Sequence, residues 1–300
     1  MKFVTFAGTD GNRAGLVLDG GAVLDLAAAA TAAGIAADLG SVLAIIAGGD
    51  TALAAVKKLA AEPPASAVHP AGSVKLLAPI PRPLKNVFCV GRNYLDHVKE
   101  GHNASGTEVK VPVVPQFFSK PPTAVTGPDS DVRLDPKVTS KMDYEVELGV
   151  VIGTTGRDIK AEDAYAHIFG YTIINDVTAR DLQRRHEQWH KGKSLDTSCP
   201  MGPWIVHKSA ISDPTKLELS LTVNGEQRQH ATTAQMIFDI PTIIASLSAG
   251  LTLEAGDIIA TGTPSGVGYA MDPPHFLKGG DEMVLTIAEI GTLRNRIVEV

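Results

Sequence analysis

The chain has 300 residues, enough for one large domain or for a main domain with a smaller partner. Hydrophobic residues make up 44% and charged residues 20%, an ordinary globular composition. The net charge of −6 speaks against nucleic acid or an anionic membrane surface as partner, and two distant cysteines, Cys89 and Cys199, make no disulfide framework. The first fifteen residues lack the sustained apolar core of a signal peptide, and the Ala-rich run 27–37 is interrupted by Thr31 and Gly34 and closed by Asp38. A soluble, cytoplasmic protein with reduced thiols is expected.

The chain opens on alternation at Phe3, Thr5 and Ala7, and Gly20-Gly21 then separates two apolar runs in a hairpin pattern. Helical patterns follow near 26–37 and 51–61, the second with Asp50-Thr51 as its expected cap. The stretch "AEPPASAVHPAGS" (61–73) reads as a linker, which predicts a small N-terminal domain over 1–72 and a main domain over 73–300. Beyond it short β-branched runs recur, among them "KNVFCVG", "VELGVVIG", "GYTIIND", "DIIATGT" and "DEMVLTI". Helices are expected near 94–100, 178–190 and 240–248 only. So many strands with so few helices predict a β-rich α+β fold and not a doubly wound sheet.

"HEQWHKGKS", 186–194, mimics two motifs. Its end resembles a phosphate loop, but Glu187 stands where that loop needs its first glycine. Its start fits H-E-x-x-H, which would put His186 and His190 on one helix face. A catalytic zinc needs a third ligand, and Arg180, Arg184, Arg185, Lys191 and Lys193 crowd the stretch with positive charge. Neither motif is adopted.

A better constellation lies upstream. On the expected strand "KMDYEVELGVVIG", period-two alternation places Glu145 and Glu147 on one face, and "GYTIIND" ends in Asp176. Three carboxylates without Cys or His suit a hard cation, Mg²⁺ or Mn²⁺, with Ca²⁺ as third candidate. The alternative is an exposed edge strand carrying both glutamates, with Asp176 merely capping a helix. In "GRNYLDHVKEG", His97 and Glu100 are three apart and share a helix face. That spacing suits a water-activating dyad or a simple surface ion pair. The Gly/Asn/Ser-rich "GHNASGTEVKV" after it suits a lid.

Taken in order, "GRNYLDHVKE", "DYEVELGVVIG", "NDVTARDLQ", "KGKSLDTSCPMGPWIV", "FDIPTIIASLSAGLTLEAGDIIATGTPSGVG" and "PPHFLKGGD" resemble the fumarylacetoacetate hydrolase family, from about Asn86 to Val300. The resemblance implies a mixed β-roll catalytic domain, a small N-terminal α/β domain and a homodimer. It implies Glu145, Glu147 and Asp176 as metal ligands, His97 and Glu100 as the lid dyad, and Lys193 as the active-site lysine. Arg180, Gln183 and Thr263 match residues of the substrate pocket, and Arg92 and Tyr94 resemble others. Where some members carry a further acidic ligand this chain has "CVGRNY", so three protein carboxylates and waters are expected.

A small-molecule oxo acid is the substrate so implied. The first expectation is hydrolysis of a C–C bond in a 2,4-dioxo acid, with His97 and Glu100 activating water. Isomerisation of a 2-hydroxymuconate-type dienol and decarboxylation of an oxaloacetate-type diacid are alternatives on the same site. A metal-stabilised binding protein is the non-enzymatic alternative. His69, His102, His167, His207, His230 and His275 have no matched role.

Overall fold

The computed structural model describes residues 1–300. Its backbone is a mixed sheet ordered Val68–His69, Val23–Asp25, Gly11–Val17, Lys2–Gly8, Cys199–His207, Ile168–Asn175, Val146–Ile152, Ile258–Ala260, Val87–Gly91, Gln116–Lys120. A second, five-stranded sheet runs Glu226–Thr232, Glu218–Val223, Glu282–Ile287, Gly291–Glu299, Asp131–Leu134. Neighbours are mostly antiparallel, but Ile258–Ala260 lies parallel to Val87–Gly91. The β-rich α+β class expected from the sequence is the one observed. No helix is long and apolar enough to cross a membrane.

Val146–Ile152 is buried at every residue, because each of its faces meets a core. Val146, Leu148, Val150 and Ile152 point into the core shared with Leu219, Leu221, Leu285 and Leu293 of the second sheet. Val151 points the other way, to a core shared with Phe3, Leu16, Leu24, Ile45 and Val56. That second core also takes in Cys199, Met201 and Ile205, and Phe3 pairs with Ile205 in the ladder. The N-terminal strands thus extend the main sheet.

Local chemistry sets the helix starts. Asp25, Ser41 and Asp239 each accept a backbone N–H from the first turn of the helices Leu26–Ala32, Val42–Ala47 and Ile240–Ser248. The helix Gly49–Ala61 begins at Gly48 with no side-chain cap, so Asp50 lies inside its first turn and does not cap it. Val42–Ala47 was not expected, because six residues are too few to show a period. Within the expected linker, Val68–His69 pairs with Val23–Asp25.

The helix expected over 178–190 is not continuous. Thr178–Ala179 bridges to Met142–Asp143, the helix proper is Arg180–Arg185, and a second turn is His190–Lys193. Between them Glu187 takes a left-handed backbone, φ 55°. The break has a tertiary cause: Trp189 packs edge-on against Phe118 at 5.4 Å and so close to Gly91 that a Cβ there would lie 2.2 Å from its ring. His186 and His190 therefore share no helix face, and His190 Nδ1 lies 3.2 Å from Ser194 Oγ.

Candidate active site

The site begins at the end of a ladder. Val146 pairs with Asn175, so the next residues outward, Glu145 and Asp176, are neighbours, and Asp176 N–H donates to the Glu145 carbonyl at 2.9 Å. Glu147 lies two residues along the same face. One oxygen from each of the three falls within 4.8 Å of the others, and all three residues are buried. The exposed edge-strand alternative is thereby set aside. Asp176 caps nothing, since the helix starts four residues later.

Buried carboxylates need counter-charge. Lys193 Nζ donates to Glu145 Oε2 and to Asp176 Oδ2, both at 2.7 Å. Arg180 Nη1 lies 2.7 Å from Glu145 Oε1, and its Nε donates to Asp143 Oδ2 at 2.9 Å. Lys120, with no exposed surface, donates to Asp176 Oδ1 at 2.7 Å and to the Val177 carbonyl at 2.9 Å. Glu147 has only the Gly262 N–H, 2.8 Å from Oε2.

The charges follow from this uneven supply. Burial would raise the Glu145 carboxyl, but Lys193 and Arg180 outweigh it and hold the group at about 2. Glu147 is pushed well above the usual carboxylate range by burial, then by Asp176 and Glu145. Burial opposes charge on Lys193, but Asp176 and Glu145 raise it, so the lysine stays an ammonium. Four carboxylates, counting Asp143, face three cations. A divalent cation would relieve Glu147 and leave the cluster net positive, suited to a dianion. Each carboxylate keeps unused lone pairs, and the donors are all hard oxygens, so the residues fit Mg²⁺ or Mn²⁺.

A cavity of about 570 Å³ opens onto this cluster. Glu145, Glu147, Lys193, Arg180, Gln183, Thr263, His97 and Arg92 all line it. Asp176 stays behind them, fully buried. Glu100 also stands back and holds His97, with Nδ1 and Oε1 at 2.8 Å, while its Oε2 accepts the Gly266 N–H at 2.8 Å. A carboxylate on Nδ1 fixes the tautomer with the proton there and leaves Nε2 as the basic atom. Tyr94 is the expected pocket residue that does not reach the cavity. It is buried in the core, and burial raises its phenol. Thr107, Glu108 and Lys110, from the stretch read as a lid, sit at the mouth.

Sequence reasoning missed four supports. Asp143 continues the period of Glu145 and Glu147 and could have been read from it. It ties Arg180 to the loop at Gly268 and Tyr269, whose N–H groups it accepts at 2.8 and 3.0 Å. Gln229 donates to Thr263 Oγ1 at 2.8 Å and accepts the Val146 N–H at 2.9 Å, locking the threonine loop to the carboxylate strand. Lys120 and Tyr269 complete the set, and no local signal marks Lys120, Gln229 or Tyr269.

Comparison with known proteins supplies a context for this arrangement. The family profile described as "Fumarylacetoacetate (FAA) hydrolase C-terminal" matches residues 86–298. Oxaloacetate tautomerase YisK of Bacillus subtilis is 49% identical over 304 aligned positions, covering 99% of this chain and all of that protein. The human mitochondrial oxaloacetate tautomerase FAHD2A is 46% identical over 253, covering 83% of this chain and 77% of its own length. Among solved structures, a fumarylacetoacetate hydrolase from the psychrophile Exiguobacterium antarcticum superposes with TM-score 0.83 at 39% identity, over 100% of both chains.

Proposed function

The chain belongs to the fumarylacetoacetate hydrolase family of enzymes, and on that premise we propose that it is a metal-dependent keto–enol tautomerase of an oxaloacetate-type 2-oxo diacid. The observation that carries the reading is end-to-end similarity, at 49% identity, to a protein named oxaloacetate tautomerase. The site's chemistry supports it. Tautomerisation moves one proton between carbon 3 and the 2-oxygen and leaves every bond between heavy atoms in place. The chain must therefore stabilise an enolate and pass one proton.

A divalent cation held by Glu145, Glu147 and Asp176 would supply positive charge at the 2-oxygen. Lys193, protonated beside the same carboxylates, donates toward that oxygen as negative charge develops. His97, oriented by Glu100, takes the carbon 3 proton at Nε2 and delivers it to the 2-oxygen, and runs the same transfer backwards when the enol returns to the ketone. Arg180 binds the near carboxylate. Its Nη2 is buried and has no partner within the chain, so an anion in the cavity would satisfy it. Gln183, Thr263 and Arg92 complete the wall, with Tyr94 supporting it from behind. Thr263 Oγ1 already accepts from Gln229, so its own proton is free to donate to substrate. The same reading carries Mg²⁺ or Mn²⁺, a homodimer and a cytoplasmic location. Metal analysis and sedimentation check the first two.

Hydrolysis of a C–C bond is the second reading, favoured by one observation. His97 lines a roomy cavity and Glu100 holds its Nδ1 from behind, an arrangement that suits activation of a water. Incubation with oxaloacetate and, in parallel, with an acylpyruvate, each in D₂O with Mg²⁺ or Mn²⁺, separates the readings by mass. A tautomerase speeds deuterium entry at carbon 3, a decarboxylase releases CO₂, and a hydrolase splits an acylpyruvate into two acids. No acceleration of exchange over a metal-only control would sink the tautomerase reading.

A further inference from the structure

We propose that Arg184 determines substrate specificity by binding the distal carboxylate of a four-carbon oxo diacid. The substrate class rests on the tautomerase reading above, and the subsite rests on the placement of Arg184 itself. Arg184 lines the same cavity as Glu145, Glu147 and Lys193. It follows Arg180 by four residues on the helix Arg180–Arg185, so the two project from one face about 6 Å apart along the axis. Both guanidinium groups stack on one ring: Arg180 lies 4.4 Å and Arg184 5.3 Å from the Tyr269 centroid.

The two arginines differ in what they hold. Arg180 is engaged by Asp143 and Glu145 next to the carboxylate cluster. Arg184 takes part in none of the chain's ion pairs, and the cavity-lining acids Glu108 and Glu187 are not within ion-pair distance of it. A planar cation held on an aromatic face, open to a cavity and lacking a carboxylate is arranged for an incoming one. A four-carbon diacid spans roughly 4 Å between its end carbons at ~1.5 Å per bond. Anchored by one end at the cluster, it brings its other carboxylate within hydrogen-bond reach one helical turn outward. A two-carbon diacid is too short.

Calorimetry on the Mg²⁺-loaded protein tests this with two probes, oxalate and L-malate. Arg184→Ala is expected to weaken malate by about tenfold or more and to leave oxalate within about twofold. Arg184→Lys should recover part of the loss, and KM for oxaloacetate should rise with kcat nearly unchanged. Equal weakening of both probes would overturn the subsite, since Arg184 would then act on the cluster. Unchanged malate binding would overturn it too, as would loss of malate on Arg92→Ala with Arg184→Ala silent. If the malate contrast appears but the wild type does not accelerate exchange in oxaloacetate, the tautomerase reading falls and the subsite stands.

Discussion

Replacing Lys120 with Met removes a cation that has no exposed surface and that donates to Asp176 and to the Val177 carbonyl. Met matches the lysine stem in length and bulk, so little packing is lost and the effect is electrostatic. Breaking a buried ion pair by deleting one partner costs about 3–5 kcal/mol. Asp176 keeps Lys193 on its other oxygen, which places the cost near the lower end, about 3 kcal/mol. In a chain of this size each kcal/mol moves the melting temperature by about 2 °C, so a drop of about 6 °C is expected in EDTA. A divalent cation beside Asp176 replaces the missing charge, so millimolar Mg²⁺ should close at least about half of the gap. Calorimetric melting of both proteins, with EDTA and with Mg²⁺, measures it. A gap absent in EDTA, or untouched by metal, would refute the view that Lys120 and the ion neutralise the same carboxylate.

Glu147→Gln should behave in the opposite way. The raised carboxyl of Glu147 makes its ionisation a cost at neutral pH that fades as pH falls. In EDTA the variant should melt at or above the wild-type temperature, with an advantage that shrinks toward acid, and Mg²⁺ should no longer stabilise it. A lower melting temperature in EDTA counts against the charge assignment. His207, held at about 4 by burial, the N-terminal amine and Lys208, contributes stability that is present above its unfolded value of about 6.5 and is lost as pH falls toward 4. His207→Asn should flatten that acid loss by up to about 1.4 kcal/mol per pH unit, read from urea melts between those limits. His97→Ala should lower turnover by about 10²–10⁴-fold without changing metal content, and Glu100→Ala by less. Full activity in both would remove the dyad. His190→Ala should leave the bound metal unchanged by emission spectrometry, and its loss would revive the zinc motif.

What could be read from the sequence was whatever a short period encodes. Two glutamates at i and i+2 on a strand, and an acid closing the next strand, are local patterns, and the ladder Val146 to Asn175 turns them into one cluster. His97 and Glu100 meet through a single helical turn, and the helix 240–248 shows in its own apolar stripe. What failed was set by distant partners. The helix over 178–190 looked continuous because its residues tolerate a helix. The chain instead breaks at Glu187, where Trp189 seats against Gly91 and Phe118, far away in sequence. Lys120 is 56 residues from Asp176, and Gln229 is 34 from Thr263, separations no periodicity spans.

The pairing of Val146 with Asn175 has a further implication for how this fold accepts change. All three carboxylates hang on the last rungs of two central strands, each walled by cores on both faces. Adding or deleting one residue within Val146–Ile152 would turn Glu147 into the apolar layer between the sheets and Leu148 into the site. The ligand end of the site is therefore rigid to insertion, whereas the wall at the mouth, Thr107–Lys110, lies in the connection between the helix Leu95–Ser105 and the strand Gln116–Lys120, where an added residue shifts no strand register. New substrates would be accommodated on that wall, around an unchanged anchor.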